Sequence, residues 1–171
     1  MARRAWGIVL PGVLGGVLSA AKLALAWLPN VELVSLLLLV YGAALGRRAL
    51  PAAWSFCLVE LVVWGPGLWW LAYLYLWSIP AVLGWLLRDM ESHWGWGAVC
   101  GLFGLSFGAL CAPAWLLAGG WEAALGGWLA GLPFDLVHGA GNFVLALALF
   151  RPLRTALERL EARRRGSGGA G

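Results

Sequence analysis

Charge is scarce in this chain. Asp, Glu, Lys and Arg make up 12% of its 171 residues, against 62% hydrophobic residues. That is too little polar surface to cover a water-soluble fold of this size, so lipid is the expected solvent. A span needs roughly 20 largely apolar residues, which leaves room for about six helices and no separate soluble domain. The expected fold class is therefore all-α integral membrane, a bundle of six transmembrane helices.

Cysteine is scarce too. Cys57, Cys100 and Cys111 all lie in apolar runs. The last two fall in one expected helix roughly 16 Å apart, too far to bridge. No metal-ligand spacing involves them, so buried thiols are expected, with no metal and no cofactor. A Walker motif is absent, which excludes ATP hydrolysis by the chain itself. No serine or cysteine has a spacing that ties it to His138, which argues against an intramembrane hydrolase and for a protein that is not an enzyme.

The charges that are present are segregated. Every arginine falls at a chain end or in a short loop, at Arg3 and Arg4, Arg47 and Arg48, Arg88, and from Arg151 to Arg165, while the only lysine, Lys22, lies inside an apolar stretch. Six spans with both termini cytoplasmic put every arginine on the inner side, as the positive-inside rule asks. The net charge of +4 then reflects lipid topology beside an anionic leaflet, and nucleic acid is not an expected partner.

The spans expected from hydropathy and turn residues are 6–28, 31–45, 49–63, 68–87, 95–117 and 125–150, broken at Pro29-Asn30, Gly46-Arg47-Arg48, Gly65-Pro66-Gly67, Arg88-Asp89-Met90-Glu91 and Gly119-Gly120. His93 and Trp94 are placed at the inner boundary. The start imitates a signal peptide with an Ala24-Leu25-Ala26 cleavage-like site. Its apolar stretch is longer than a usual signal core, however, and Lys22 interrupts its end, so a retained first span is expected. After a break at Pro152, residues 151–165 are expected to form a short basic helix at the cytoplasmic interface, with Leu153, Leu157 and Leu160 on one face. Residues 166–171 are expected to be a disordered tail.

Gly12, Gly16, Ala20 and Ala24 recur every four residues, a stripe that lets another helix approach closely, either within the bundle or from a partner protein. Trp27, Trp64, Trp69 and Trp121 sit near span ends, as an aromatic belt requires.

A charge near the bilayer centre costs on the order of 3 kcal/mol, so intramembrane polar residues are the informative ones. Lys22, Glu32, Glu60, Asp135 and His138 all fall in the outer half of the expected topology. Trp69, Trp70, Tyr73 and Trp77 share that depth in the fourth span, with Trp70, Tyr73 and Trp77 at three-then-four spacing on one helical face. Asp135, His138 and Asn142 show the same spacing in the sixth span, and Gly131-Leu132-Pro133-Phe134 is expected to loosen the helix just before them. These ten residues are the candidate lining of a substrate cavity. Purely structural alternatives stay open: Lys22 snorkelling, Glu32 capping the second helix, and Asp135 pairing with His138. The acidic excess and the aromatic surfaces suit flat or cationic ligands, and a heteroaromatic or amine-bearing metabolite is expected.

LPNVELVSLLLLVYGAALGRRAL, WWLAYLYLW and GLPFDLVHGAGNFVLALALFRPL resemble segments of the substrate-binding S components of energy-coupling factor (ECF) vitamin transporters. The likeness runs over nearly all of residues 6–160. It implies a six-helix bundle of the bacterial cell membrane that binds a vitamin or related small metabolite near the outer face. It also implies delivery together with a transmembrane coupling subunit and its two ATPases, which contact an alanine-x-x-x-alanine pattern in the first helix. The matching positions here are Gly16 and Ala20, or Gly12 and Gly16, with glycine in place of alanine. The alternative from another class is a structural membrane protein of the MreD cell-shape type, without transport activity.

Overall fold

The computed structural model describes residues 2–167, with the side chains of 2–5, 165 and 167 left aside, and every regular element among them is helical. The elements are α1 (Ala2–Ala24), α2 (Val34–Leu45), a 3-10 turn (Gly46–Arg48), α3 (Ala49–Trp64), α4 (Leu68–Leu76), α5 (Ser78–Leu86), α6 (His93–Leu105) and α7 (Phe107–Ser167). Four helical stretches are long and apolar enough to cross a membrane: Trp6–Ala24, Val34–Trp64, Leu68–Leu86 and His93–Arg164.

The centre is α2, in which every residue from Val34 to Ala43 is buried. A helix apolar all round buries itself on all sides, and VSLLLLVYGAAL has almost no polar face to turn outward. Against it crosses α5, at a point where neither backbone leaves space for a side chain. A Cβ added to Gly42 would stand 2.8 Å from Trp85 N, and one added to Gly84 would strike Leu39.

The last helix folds back on its neighbour. Within α7, Gly119 (φ −149°, ψ 20°) and Gly120 (φ 71°, ψ −164°) leave helical geometry. The positive φ at Gly120 is one that glycine adopts without steric cost. The chain reverses there and returns antiparallel to α6 on a ladder of close approaches: Gly108 opposite Asp135, Gly104 opposite Gly139, Gly101 opposite Phe143 and Gly97 opposite Leu147. Glycines three or four residues apart on one helical face are the small-residue packing that lets helix backbones approach closely.

Several boundaries differ from the sequence reading for physical reasons. The stretch 68–87 is two helices, because Pro80 has no N–H to give to the Leu76 carbonyl and the helix breaks at Trp77. The stretch 95–117 is interrupted at Ser106, because the Gly108 N–H leaves the helical ladder for the Asp135 carboxylate. His93 and Trp94 open α6, two residues before the expected start at 95, and Ser92 caps it, its side chain accepting from Gly95 N at 3.0 Å. Pro133 does not loosen α7; it lies on an exposed face, and the backbone around it stays helical.

Pro152 does not end α7 either. The helix runs on to Ser167, with Leu153 and Leu157 packed against the core and Glu161 buried 3.5 Å from Arg48. Leu160, at 63% exposure, does not share that packed face. Of the expected disordered tail, Gly166 and Ser167 belong to α7, and 168–171 lie outside the described residues.

The small-residue stripe of α1 faces outward. Gly12, Gly16, Ala20 and Ala24 are all exposed, and a Cβ on Gly12 or Gly16 would meet open space. Packing inside the bundle runs instead through Leu10, Leu14, Gly15 and Leu18, with Gly15 against Ser55 and Phe56 of α3.

This contrast sets a stability test. Gly104→Ala, whose Cβ would stand 2.8 Å from Gly139 N, is expected to lower unfolding stability in detergent by about 1–3 kcal/mol. Gly16→Ala is expected to leave it unchanged or raise it by up to ~1 kcal/mol. Intrinsic fluorescence melts of the two variants measure both effects.

Candidate functional site

The site is built at the far end of α1. Pro29 ends any continuation of that helix, and Asn30 adopts φ 58°, a conformation asparagine tolerates better than most residues. The segment from Leu25 to Leu33 therefore folds over the ends of the neighbouring helices instead of running on. Beneath it lies a cavity of about 230 Å³, lined by Lys22, Leu25, Ala26, Leu28, Asn30, Val31, Glu32, Val34, Tyr73, Trp77, Phe107 and His138.

Lys22 projects from the last turn of α1 and forms an ion pair with Glu60 of α3, which is only 1% exposed. Its ammonium also donates to the Tyr73 hydroxyl at 3.5 Å and lies 5.3 Å from the Tyr73 ring centroid and 5.9 Å from that of Trp64. Lys22 thus does not snorkel free; it spends its charge on a buried carboxylate and an aromatic face.

Glu32 performs two tasks. Its carboxylate accepts from Ser35 N at 3.0 and 3.2 Å, capping α2, and it meets His138 Nε2 at 3.1 Å, the imidazole N–H donating. Burial pushes the Glu32 carboxyl up, but the His138 contact and the Ser35 N–H outweigh it and hold the group below its usual value. The capping alternative and the cavity placement are both realised by this one side chain.

The aromatic wall has a different membership from the one the helical spacing suggested. Tyr73 and Trp77 line the cavity, with ring centroids 5.3 Å apart, and Phe107 joins them 5.8 Å from Trp77 and 4.9 Å from the His138 ring. Trp69 stands behind, edge-on to Tyr73 at 5.0 Å. Trp70 turns away, donating its indole N–H to the Cys57 carbonyl of α3 at 2.8 Å. The Trp77 indole nitrogen is buried without any hydrogen-bond partner, in a side chain only 3% exposed.

Asp135, His138 and Asn142 all point into the protein interior, but only His138 reaches the cavity. Asp135 accepts from Gly108 N at 3.0 and 3.1 Å and so caps the start of α7; it does not pair with His138. Asn142 is 1% exposed with neither amide atom bonded, and nothing in the structure explains that. Among the described residues no cluster of three His, Cys, Asp or Glu side chains could hold a metal ion.

Phe107 and the Leu25–Val31 lining were not foreseen. Phe107 reads as one more apolar residue in a span, and only the break at Ser106 turns it inward. The turn residues carried a signal, Pro29-Asn30, but it marks a reversal and not a roof.

Compared with known proteins, the chain matches no family model, no curated protein and no solved structure.

Removing Lys22 tests the electrostatic core of the site. Lys22→Ala strands the Glu60 carboxylate and is expected to cost about 3–5 kcal/mol, whereas Lys22→Met combined with Glu60→Leu recovers most of the loss. Denaturant unfolding of the wild type and both variants in micelles reads the difference.

Proposed function

We propose that this chain is a membrane-embedded capture subunit that binds a vitamin-like small molecule and hands it to a separate ATP-driven module. The observation that carries the reading is convergence. Residues from α1, the turn after it, the α4–α5 junction and α7 meet around one cavity. Apolar walls with a few converging polar groups are the usual chemistry of a small-molecule site.

Topology supports an outward-facing cavity. Six passes follow if the Gly46–Arg48 turn and the Gly119–Gly120 reversal each end a pass, since Val34–Trp64 and His93–Arg164, of 31 and 72 residues, are too long to cross once. The arginines gather at the opposite end from the cavity: Arg164 lies over the Trp6 ring, Arg154 donates to the Arg88 carbonyl, Arg151 donates to the Glu91 carbonyl, and Arg48 pairs with Glu161. Trp6 and Lys22 are sixteen residues apart along α1, or roughly 24 Å, close to the thickness of a hydrocarbon core. With the arginines cytoplasmic in a bacterial cell membrane, the cavity opens near the outer face. The exposed Gly12, Gly16, Ala20 and Ala24 stripe is then free to receive a transmembrane coupling subunit with its two ATPases.

A structural role of the MreD type is the competing reading. It is favoured by the way the Lys22–Glu60 and Glu32–His138 pairs satisfy each other without a ligand, but it leaves the cavity and the bare Trp77 N–H without a purpose.

Uptake and assembly test the proposal together. Cells expressing the wild type with its coupling module are expected to accumulate one medium component at least tenfold over cells expressing His138→Ala or Tyr73→Ala. Gly16→Leu, substituted into open space, is expected to abolish co-purification of the ATPase subunits while ligand binding by the isolated protein persists. Equal accumulation in all strains would remove the capture reading, and unchanged co-purification would remove the stripe as the contact.

A further inference from the structure

The charge balance around the cavity selects among ligands. One cation, Lys22, is accompanied by two carboxylates, Glu60 and Glu32, and by the His138 imidazole. With the imidazole neutral the group carries a single negative charge; with it protonated the group is neutral. In neither state is there positive charge to spare. An anionic ligand drawing Lys22 toward itself would strand Glu60, a carboxylate with 1% exposure, in apolar surroundings. With the imidazole neutral, a cation beside Glu32 adds the missing positive charge instead.

Two further features narrow the class. The rings of Tyr73, Trp77 and Phe107 offer flat apolar surfaces, which suit an aromatic ring and attract positive charge on their faces. A volume of about 230 Å³ falls below the range of drug-sized pockets, roughly 300–1,000 Å³, which limits the ligand to about one ring with its substituents.

Resting on the capture reading, we propose that the cavity selects a small, flat aromatic that carries a cationic amine. Its protonated amine stands beside Glu32, and its ring lies against the aromatic walls. Ligands whose charge at neutral pH is negative are rejected.

Isothermal titration at pH 7 of the full chain in detergent micelles tests this with three matched probes: 4-aminomethylpyrimidine, pyrimidine-4-methanol and pyrimidine-4-carboxylate. They share the ring and differ in charge. The amine is expected to bind at least tenfold more tightly than the alcohol, with the carboxylate weakest. Glu32→Gln is expected to remove the amine's advantage over the alcohol, while Trp77→Phe weakens both by a similar factor. Ala26→Phe, which fills the cavity from its exposed rim, is expected to abolish all binding.

Tightest binding by the carboxylate, or an amine advantage that survives Glu32→Gln, overturns the cationic class. If that binding is still lost in Ala26→Phe, the capture reading stands with a different ligand. Absence of binding by all three probes at millimolar concentration overturns the proposed class. Binding that is indifferent to Ala26→Phe removes the cavity as a capture site and the ligand class with it.

Discussion

Burying Glu60 is possible only because Lys22 reaches it from a neighbouring helix. An unpaired carboxylate in an apolar interior costs several kcal/mol, more than a single helix contact returns. The pair therefore ties the end of α1 to α3 and sets where the chain must turn. The Leu25–Leu33 segment then crosses over the helix ends, bringing Glu32 above His138. A cavity remains between the two charged pairs because neither pair fills the space that the aromatic rings leave open.

The rest of the bundle holds those pairs in register by close backbone approaches. Glycines on α2, α5, α6 and α7 remove the side chains that would keep the helices apart. Asp135 contributes in the same sense. By taking the Gly108 N–H it interrupts the chain at Ser106, and the interruption turns Phe107 toward His138 and Trp77. A residue that resembles a ligand contact thus shapes the wall of the cavity through the backbone of another helix. At the opposite end, arginines from separate segments bind loop carbonyls and Glu161, which explains why α7 continues through Pro152 where a break was expected.

Much of this was legible in the sequence because charge is so costly in an apolar chain. The turn residues and the arginine pattern group Lys22, Glu32, Glu60 and His138, and the structure brings them together as two pairs. The pairings were not legible. Spacing puts Asp135 and His138 on one helical face, but it does not say that one reaches back to Gly108 while the other crosses to Glu32. Three-then-four spacing puts Trp70 and Tyr73 on one face with Trp77, yet a backbone carbonyl on α3 captures Trp70. The stripe on α1 was ambiguous between inner and outer contact until Gly15, one residue from Gly16, proved to carry the inner one. Hydropathy likewise cannot distinguish a proline that breaks a helix, such as Pro80, from one tolerated on an exposed face, such as Pro133.

The central claim is that the space between the two charged pairs is made for a small molecule. Native mass spectrometry of the protein purified from membranes tests it most directly, by comparing the wild type with Ala26→Phe. A small molecule retained by the wild type and missing from the variant is the predicted result. A wild-type mass equal to that of the bare chain, unchanged when cell extract is added back, would contradict the account and favour a purely structural role.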